Sequence, residues 1–288
     1  MTHTPARTLK IAALTLLIAA SATLGGCYLD SKAYRNETAK RLATPSFMME
    51  RQIQAGQFTL QAYERVYDRG APAIVYIEGD GMAQISKMDA LGDPTPMNPV
   101  ALHIATRDLS RNVIYVGLPC QYVDQPQKNC GEKYWKEARF SPEVIAAMDE
   151  ALNNMKRRWG ISSFDLVGFS GGAAIAVLVA ANRDDITSIR TVAGTLDTDL
   201  FYRMHDLEPL AESLNPVDVA AKVAHIPQHH FRAEWDDIIP PHLYESYRQA
   251  AGDTKCVRGG TVLETEHEKG WVNKWPELLK APLDCENR

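Results

Sequence analysis

Ser170 stands in Gly168-x-Ser170-x-Gly172, a spacing that points to nucleophilic chemistry. A serine hydroxyl attacks a carbonyl only when it is exposed, beside a base, and near donors that can hold a developing oxyanion. A β-rich run, 163–169, leads into the motif, and a helix-compatible run, 173–181, leads out. A strand that turns sharply into a helix pushes the serine side chain out of the sheet and leaves the first helical N–H groups free. Flanking glycines suit such a turn because side chains there would clash. An ordinary turn of a βα unit can carry the same five residues, so the chemistry depends on partners elsewhere in the chain.

A base and an acid are needed, and in sites of this kind they follow the serine as acid, then histidine, each in a loop after a strand. Asp236 and Asp237 follow the β-type run 227–233, and His267 follows the short run 260–264. Histidine takes the serine proton and returns it to the leaving group, while the aspartate fixes the imidazole tautomer and stabilises its cation. Adjacent side chains diverge, so only one of the two aspartates can aim at His267, and Asp236 is preferred. His103 and His205 follow no late strand. His229 and His230 are neighbours on a strand and point to opposite faces, and no His/Cys/Asp cluster has metal-ligand spacing. No metal or other cofactor is expected.

The elements around these residues alternate as in an α/β fold. The run 73–77 is a nearly continuous β-type stretch, suited to a central strand buried on both faces, and ends in Glu78-Gly79-Asp80-Gly81. Ligands of open α/β sheets bind at this edge. A proline-rich loop, 89–99, is expected over the same edge. Further strands are expected at 57–63, 112–117 and 187–194, and helices at 100–110, 141–158, 244–251 and 272–279. The segment 199–223, interrupted by Pro209 and Pro216, reads as a small cap. The long irregular stretch 118–135 borders the site, and Gln121, Tyr122, Tyr134, Trp135 and the nearby Arg139 are candidates for substrate contact or for packing.

The chain has 288 residues, 45% hydrophobic and 23% charged, with a net charge of −5. That length suits one sizeable α/β domain, and the charge argues against a nucleic-acid partner. Arg7 and Lys10 precede an apolar run, 11–24, which ends in Leu24-Gly25-Gly26-Cys27. This resembles a bacterial lipobox. The resemblance implies a signal peptide over 1–26, acylation of Cys27 by palmitate-type chains, and anchoring to the cell envelope. Tyr28, rather than an aspartate, follows the cysteine; in a Gram-negative host this implies the inner face of the outer membrane. Residues 27–56 read as a tether with a short helix from Ser46 towards Gln54, and 57–288 as the folded domain. Four cysteines remain, an even number that suits an oxidising compartment. Local pairing gives Cys120–Cys130 and Cys256–Cys285, one of three connectivities.

Several stretches resemble a group of bacterial envelope α/β-hydrolases: Tyr76-Ile77-Glu78-Gly79-Asp80-Gly81, Asp93-Pro94-Thr95-Pro96, Pro119-Cys120-Gln121-Tyr122, Tyr134-Trp135 with Ala138-Arg139-Phe140-Ser141, and His267-Glu268-x-Gly270-Trp271. Asp236-Asp237-Ile238-Ile239-Pro240 resembles the end of the acid loop in that superfamily, with Asp236 in first place. The resemblance implies a mostly parallel central sheet flanked by helices, cofactor-free hydrolysis, a triad of Ser170, Asp236 and His267, and an oxyanion hole from the amides of Asp80 and Gly171. Glu78 departs from the His-Gly pair common at this loop, and pairing with Arg139 or another base would keep its charge from the nucleophile. The N-terminal antiparallel strands read as fewer than in full-length members. The expected activity is hydrolysis of a carboxylic ester, or a related acyl bond, of a small molecule through an acyl-enzyme. Peptide or amide hydrolysis is open to the same machinery, and a non-catalytic binding protein on this scaffold is the alternative of a different class.

Overall fold

The computed structural model describes residues 32–81, 93–123 and 129–285. The signal peptide read over 1–26 and Cys27 lie outside them. Eight strands form one sheet: β1 (Met49–Ala55), β2 (Phe58–Val66), β3 (Ala73–Ile77), β4 (Asn112–Val116), β5 (Phe164–Phe169), β6 (Ile186–Val192), β7 (Gln228–Trp235) and β8 (Val257–Glu266). Their spatial order is β1-β2-β4-β3-β5-β6-β7-β8. The first two pairings, β1 with β2 and β2 with β4, are antiparallel, and all others are parallel. The central strands are buried almost throughout, as their apolar runs require once helices cover both faces.

One face carries α3 (Pro142–Trp159), α4 (Gly171–Ala180) and α6 (His242–Ala250); the other carries α1 (Lys32–Ala43), α2 (Val100–Ala105) and α7 (Trp271–Leu278). The remaining helix, α5 (Thr198–Met204), lies in the segment read as a cap. Helix α3 starts where its sequence says it should: Ser141 accepts a hydrogen bond from the Val144 amide, Pro142 follows, and Gly160 ends the helix at φ 70°. On the other face, Trp275 Nε1 donates to Tyr76 Oη at 2.9 Å, and Tyr76 Oη donates to Asp108 Oδ2 at 2.7 Å. Among the described residues no helix is long and apolar enough to cross a membrane.

Four expectations are corrected. The helix expected from Ser46 towards Gln54 is a short 3-10 turn, Thr44–Ser46, followed by the edge strand β1, so the sheet begins before residue 57. Only Ile53 and Ala55 of β1 are buried, and so polar a strand shows little apolar periodicity. The antiparallel strands are not fewer: β1 and β2 complete the eight. Within the expected tether of 27–56, Lys32–Ala43 forms α1, docked through buried Arg35, Asn36, Ala39 and Ala43. The last strand, β8, spans ten residues rather than five.

Both local disulfides are present, Cys120–Cys130 with Cα atoms 5.5 Å apart and Cys256–Cys285 with Cα atoms 4.2 Å apart. The first closes a loop of sequence separation 10. Replacing Cys120 and Cys130 by serine together should therefore lower the free energy of unfolding by at most about 3 kcal/mol, as read by urea denaturation.

Candidate active site

Ser170 sits between β5 and α4 with φ 49° and ψ −120°, a conformation costing on the order of 1–3 kcal/mol for a residue with a Cβ. The neighbouring sequence makes this turn feasible. A Cβ on Gly168 would fall 2.3 Å from the Gly172 carbonyl oxygen, and one on Gly172 would fall 2.3 Å from the Glu78 carbonyl oxygen. The turn is thus packed against the loop that leaves β3.

His267 follows β8 and Asp236 follows β7, and the parallel pairing of these strands brings the two loops together. His267 Nε2 is 3.2 Å from Ser170 Oγ, and His267 Nδ1 is 3.1 Å from each carboxylate oxygen of Asp236. Both side chains are almost fully buried, 7% exposed for His267 and 3% for Asp236. Asp236 Oδ1 accepts hydrogen bonds from the amides of Ile238 and Ile239 at 3.0 and 2.8 Å, which fixes its carboxylate. Asp237 is exposed. The His267 ring lies 5.2 Å from that of Phe169, and its carbonyl accepts a hydrogen bond from Trp271 Nε1 at 2.9 Å. The structure thus brings together Ser170, Asp236 and His267, and leaves Asp237 outside.

The loop after β3 lies alongside. A Cβ on Gly79 would come 3.1 Å from Ser170 Cβ, and one on Gly171 would come 2.1 Å from Asp80 Oδ2. Among the described residues the amides of Asp80 and Gly171 donate to no protein acceptor. Of the partners left open for Glu78, Arg139 or another base, none lies within ion-pair distance among the described residues; Arg139 Nη1 lies 3.4 Å from Asp80 Oδ1. Arg139 also donates to the carbonyls of Trp135 and Lys136 at 3.0 and 3.1 Å. Glu78 instead turns inward. It is 1% exposed and accepts from the Gly79 amide at 3.0 Å, the Ala101 amide at 3.3 Å and Tyr115 Oη at 3.0 Å. Burial pushes its carboxyl up to about 7, against the pull of those donors.

A cavity of about 180 Å³ opens over Ser170 and His267, walled by Glu78, Asp80, Arg139, Phe140, Phe201, Tyr202, Ile238 and the turn 96–98. Of the residues proposed for substrate contact, Arg139 lines it. Gln121, Tyr122, Tyr134 and Trp135 do not; all four are buried in packing. Gln121 Nε2 donates to the Gly79 carbonyl at 2.9 Å, and so acts as a strut behind the loop. Phe201 and Tyr202 of α5 were not foreseen as lining residues, because an irregular cap gives no periodic signal to place its inner face. His205 hydrogen-bonds the Ile238 carbonyl through Nε2 at 2.8 Å, and His230 is buried with its pKa lowered to about 3 by loss of solvent. Among the described residues no group of three His, Cys, Asp or Glu is placed to hold a metal ion.

The architecture is that of an α/β-hydrolase. The chain is similar to an α/β serine hydrolase homologue from Coxiella burnetii, 15% identical over 80% of this chain and 93% of that one, with a TM-score of 0.51. It is similar to an esterase of Pyrococcus furiosus, 12% identical over 83% and 91% of the two chains, TM-score 0.57. A bacterial membrane phospholipase A is 15% identical over 92% and 93%, TM-score 0.53. No protein-family model matches the sequence, and no curated protein matches it. At these identities the likeness shows the fold.

Gly172→Ala tests the packing of the two loops. The added Cβ would meet the Ile77 and Glu78 carbonyl oxygens at 2.4 and 2.3 Å, so unfolding free energy should drop by about 2 kcal/mol or more, seen as a lowered thermal midpoint. An alanine variant as stable as the parent would contradict this contact.

Proposed function

We propose that this chain is a serine hydrolase that cleaves a carboxylic ester through an acyl-enzyme. The observation that carries the reading is the line from Asp236 through His267 to Ser170 at the floor of one cavity. His267 Nε2 accepts the Ser170 proton as Oγ bonds to the ester carbonyl carbon. The negative charge that develops on the carbonyl oxygen is held by the amides of Asp80 and Gly171. His267 then gives the proton to the departing alkoxide, and the acyl group stays on Ser170. A water molecule, deprotonated by His267, attacks the acyl-enzyme; the Oγ–acyl bond breaks, His267 returns the proton to Ser170 Oγ, and the acid leaves. Asp236 holds the Nδ1 proton and balances the imidazolium in both halves.

The strain at Ser170 favours catalysis over a purely binding role, since binding alone gives no reason to hold a serine at positive φ. The similar structures include an esterase, a phospholipase and puromycin hydrolases, so the fold alone does not choose between ester and amide. An alkoxide leaves more readily than an amine, so the ester is the less demanding substrate. In our reading the protein resides in the bacterial envelope, anchored by lipid on Cys27. Two closed disulfides support an oxidising compartment.

A fluorophosphonate probe should label the parent protein and fail to label Ser170→Ala; equal labelling would overturn the assignment of the nucleophile. With an activated short-chain ester, Ser170→Ala and His267→Ala should each lower kcat by about 10⁴-fold or more, and the double variant little further, because the residues act as a unit. Asp236→Asn should cost about 10³-fold or more, whereas Asp237→Asn should change kcat by less than about threefold. The reverse ranking would move the acid to Asp237 and leave the nucleophile in place.

The anchor is tested in a lipoprotein-processing host. Cys27→Ser should shift the protein from the membrane to the soluble fraction and abolish metabolic labelling with palmitate. Unchanged membrane partition and processing would contradict a lipid on Cys27.

A further inference from the structure

Glu78 is a buried carboxyl beside Ser170 that the mechanism above does not use. It lines the cavity that holds Ser170, and its main chain forms part of the loop that packs on the Ser170 turn. Its Oε1 accepts the amides of Gly79 and Ala101, and so ties the loop after β3 to the start of α2. Its Oε2 meets Tyr115 Oη of β4, which lies 3.1 Å from Tyr122 Oη in the disulfide-closed loop.

The other charges around the cavity are compensated or exposed. Asp80 is paired with Arg139, Asp236 faces His267, and Glu268 is exposed with Asn98 Nδ2 3.3 Å from its Oε2. Among the described residues no lysine, arginine or histidine lies within ion-pair distance of Glu78. Its polar neighbours are hydroxyls and amides. Burial holds Tyr115 and Tyr122 well above the ordinary phenol range, so both stay neutral.

This network can satisfy Glu78 in either charge state. When Glu78 is ionised, Tyr115 donates to it and Tyr122 can donate to Tyr115. When Glu78 is protonated on Oε2, it donates to Tyr115, which then donates to Tyr122. The hydroxyl protons swing round and no heavy atom has to move. Protonation therefore leaves the amide contacts of Oε1 in place and changes only the charge behind the oxyanion loop. A carboxylate there opposes the negative charge that grows on the substrate carbonyl oxygen, and a neutral acid does not.

We propose that Glu78 is a positioning residue of the oxyanion loop whose charge sets the alkaline limb of the activity profile: the enzyme is most active with Glu78 neutral. The inference rests on the hydrolase reading. Catalysis needs His267 neutral and Glu78 protonated, so activity should pass through a maximum and decline as Glu78 ionises. The burial that pushes its carboxyl to about 7 places that decline in the neutral to mildly alkaline range. The sign is the reverse of a triad alone, which would rise with pH to a plateau.

The test compares the parent protein with Glu78→Gln and Glu78→Ala on a short-chain p-nitrophenyl ester between pH 5 and 9, with spontaneous hydrolysis subtracted. The kcat of the parent should fall by about tenfold above neutrality, a Coulomb effect of one buried charge. Glu78→Gln keeps an oxygen for the two amides and carries no charge; its kcat should rise to a plateau and stay there. Glu78→Ala removes the strut and the charge together, so its kcat should also rise to a plateau but lie about tenfold below that of Glu78→Gln at every pH, with KM changed little. An alkaline fall in both the parent and Glu78→Gln, or a plateau in both, would overturn the proposal. So would a Glu78 carboxyl carbon that titrates in the ordinary carboxylate range by NMR of the resting protein, a readout that needs no activity. Fluorophosphonate labelling of the same samples separates the two readings: labelled protein with the wrong pH profile sinks the role of Glu78 alone, and unlabelled protein sinks the hydrolase reading with it.

Discussion

Two loops pressed together at the end of the central strands are the constraint on which the rest of the site depends. The Ser170 turn and the loop after β3 touch through Gly171, Gly172 and Gly79, where a side chain would collide with the opposing loop, and Gly168 leaves room within the turn itself. That contact fixes a strained serine beside two amides that, among the described residues, donate to no protein acceptor. It also leaves room on only one side, where His267 and Asp236 arrive from the parallel pair β7 and β8. The sheet supplies the direction, because every parallel strand from β3 onwards delivers its following loop to the same edge.

Electrostatics at this edge are arranged by distance as much as by sequence. Two carboxylates sit beside Ser170, and they are handled differently. Asp80 stays near solvent and is paired with Arg139, whose guanidinium is pinned by two carbonyls. Glu78 is withdrawn into the interior and receives three neutral donors. Pairing keeps a charge and offsets it; burial disfavours the charge itself.

Much of the site was legible in the sequence because its signals are local. The glycine spacing around Ser170, the strand before it and the helix after it sit within a few residues, and the Ser, Asp, His order needs only the ends of two later strands. The preference for Asp236 over Asp237 also has a local cause, since Asp236 accepts the amides two and three residues ahead. The fold class followed from the same alternation of buried strands and amphipathic helices. What could not be read depends on distant partners. Strand β1 is an edge strand with two buried side chains, too few to betray its period, and it is defined by pairing with β2. Arg139 lies 59 residues from Asp80 and 61 from Glu78, and nothing local tells which carboxylate it meets. Phe201 and Tyr202 reach the cavity only because α5 folds over it.

The central claim is that Ser170 carries the acyl group in a covalent intermediate. It is tested most directly by intact-mass spectrometry of protein quenched in acid during turnover of a slowly deacylated activated ester, followed by peptide mapping. The account predicts a single adduct with the mass of the acyl group, located on the peptide containing Ser170. Turnover without any acyl adduct, or an adduct on another residue, would contradict it.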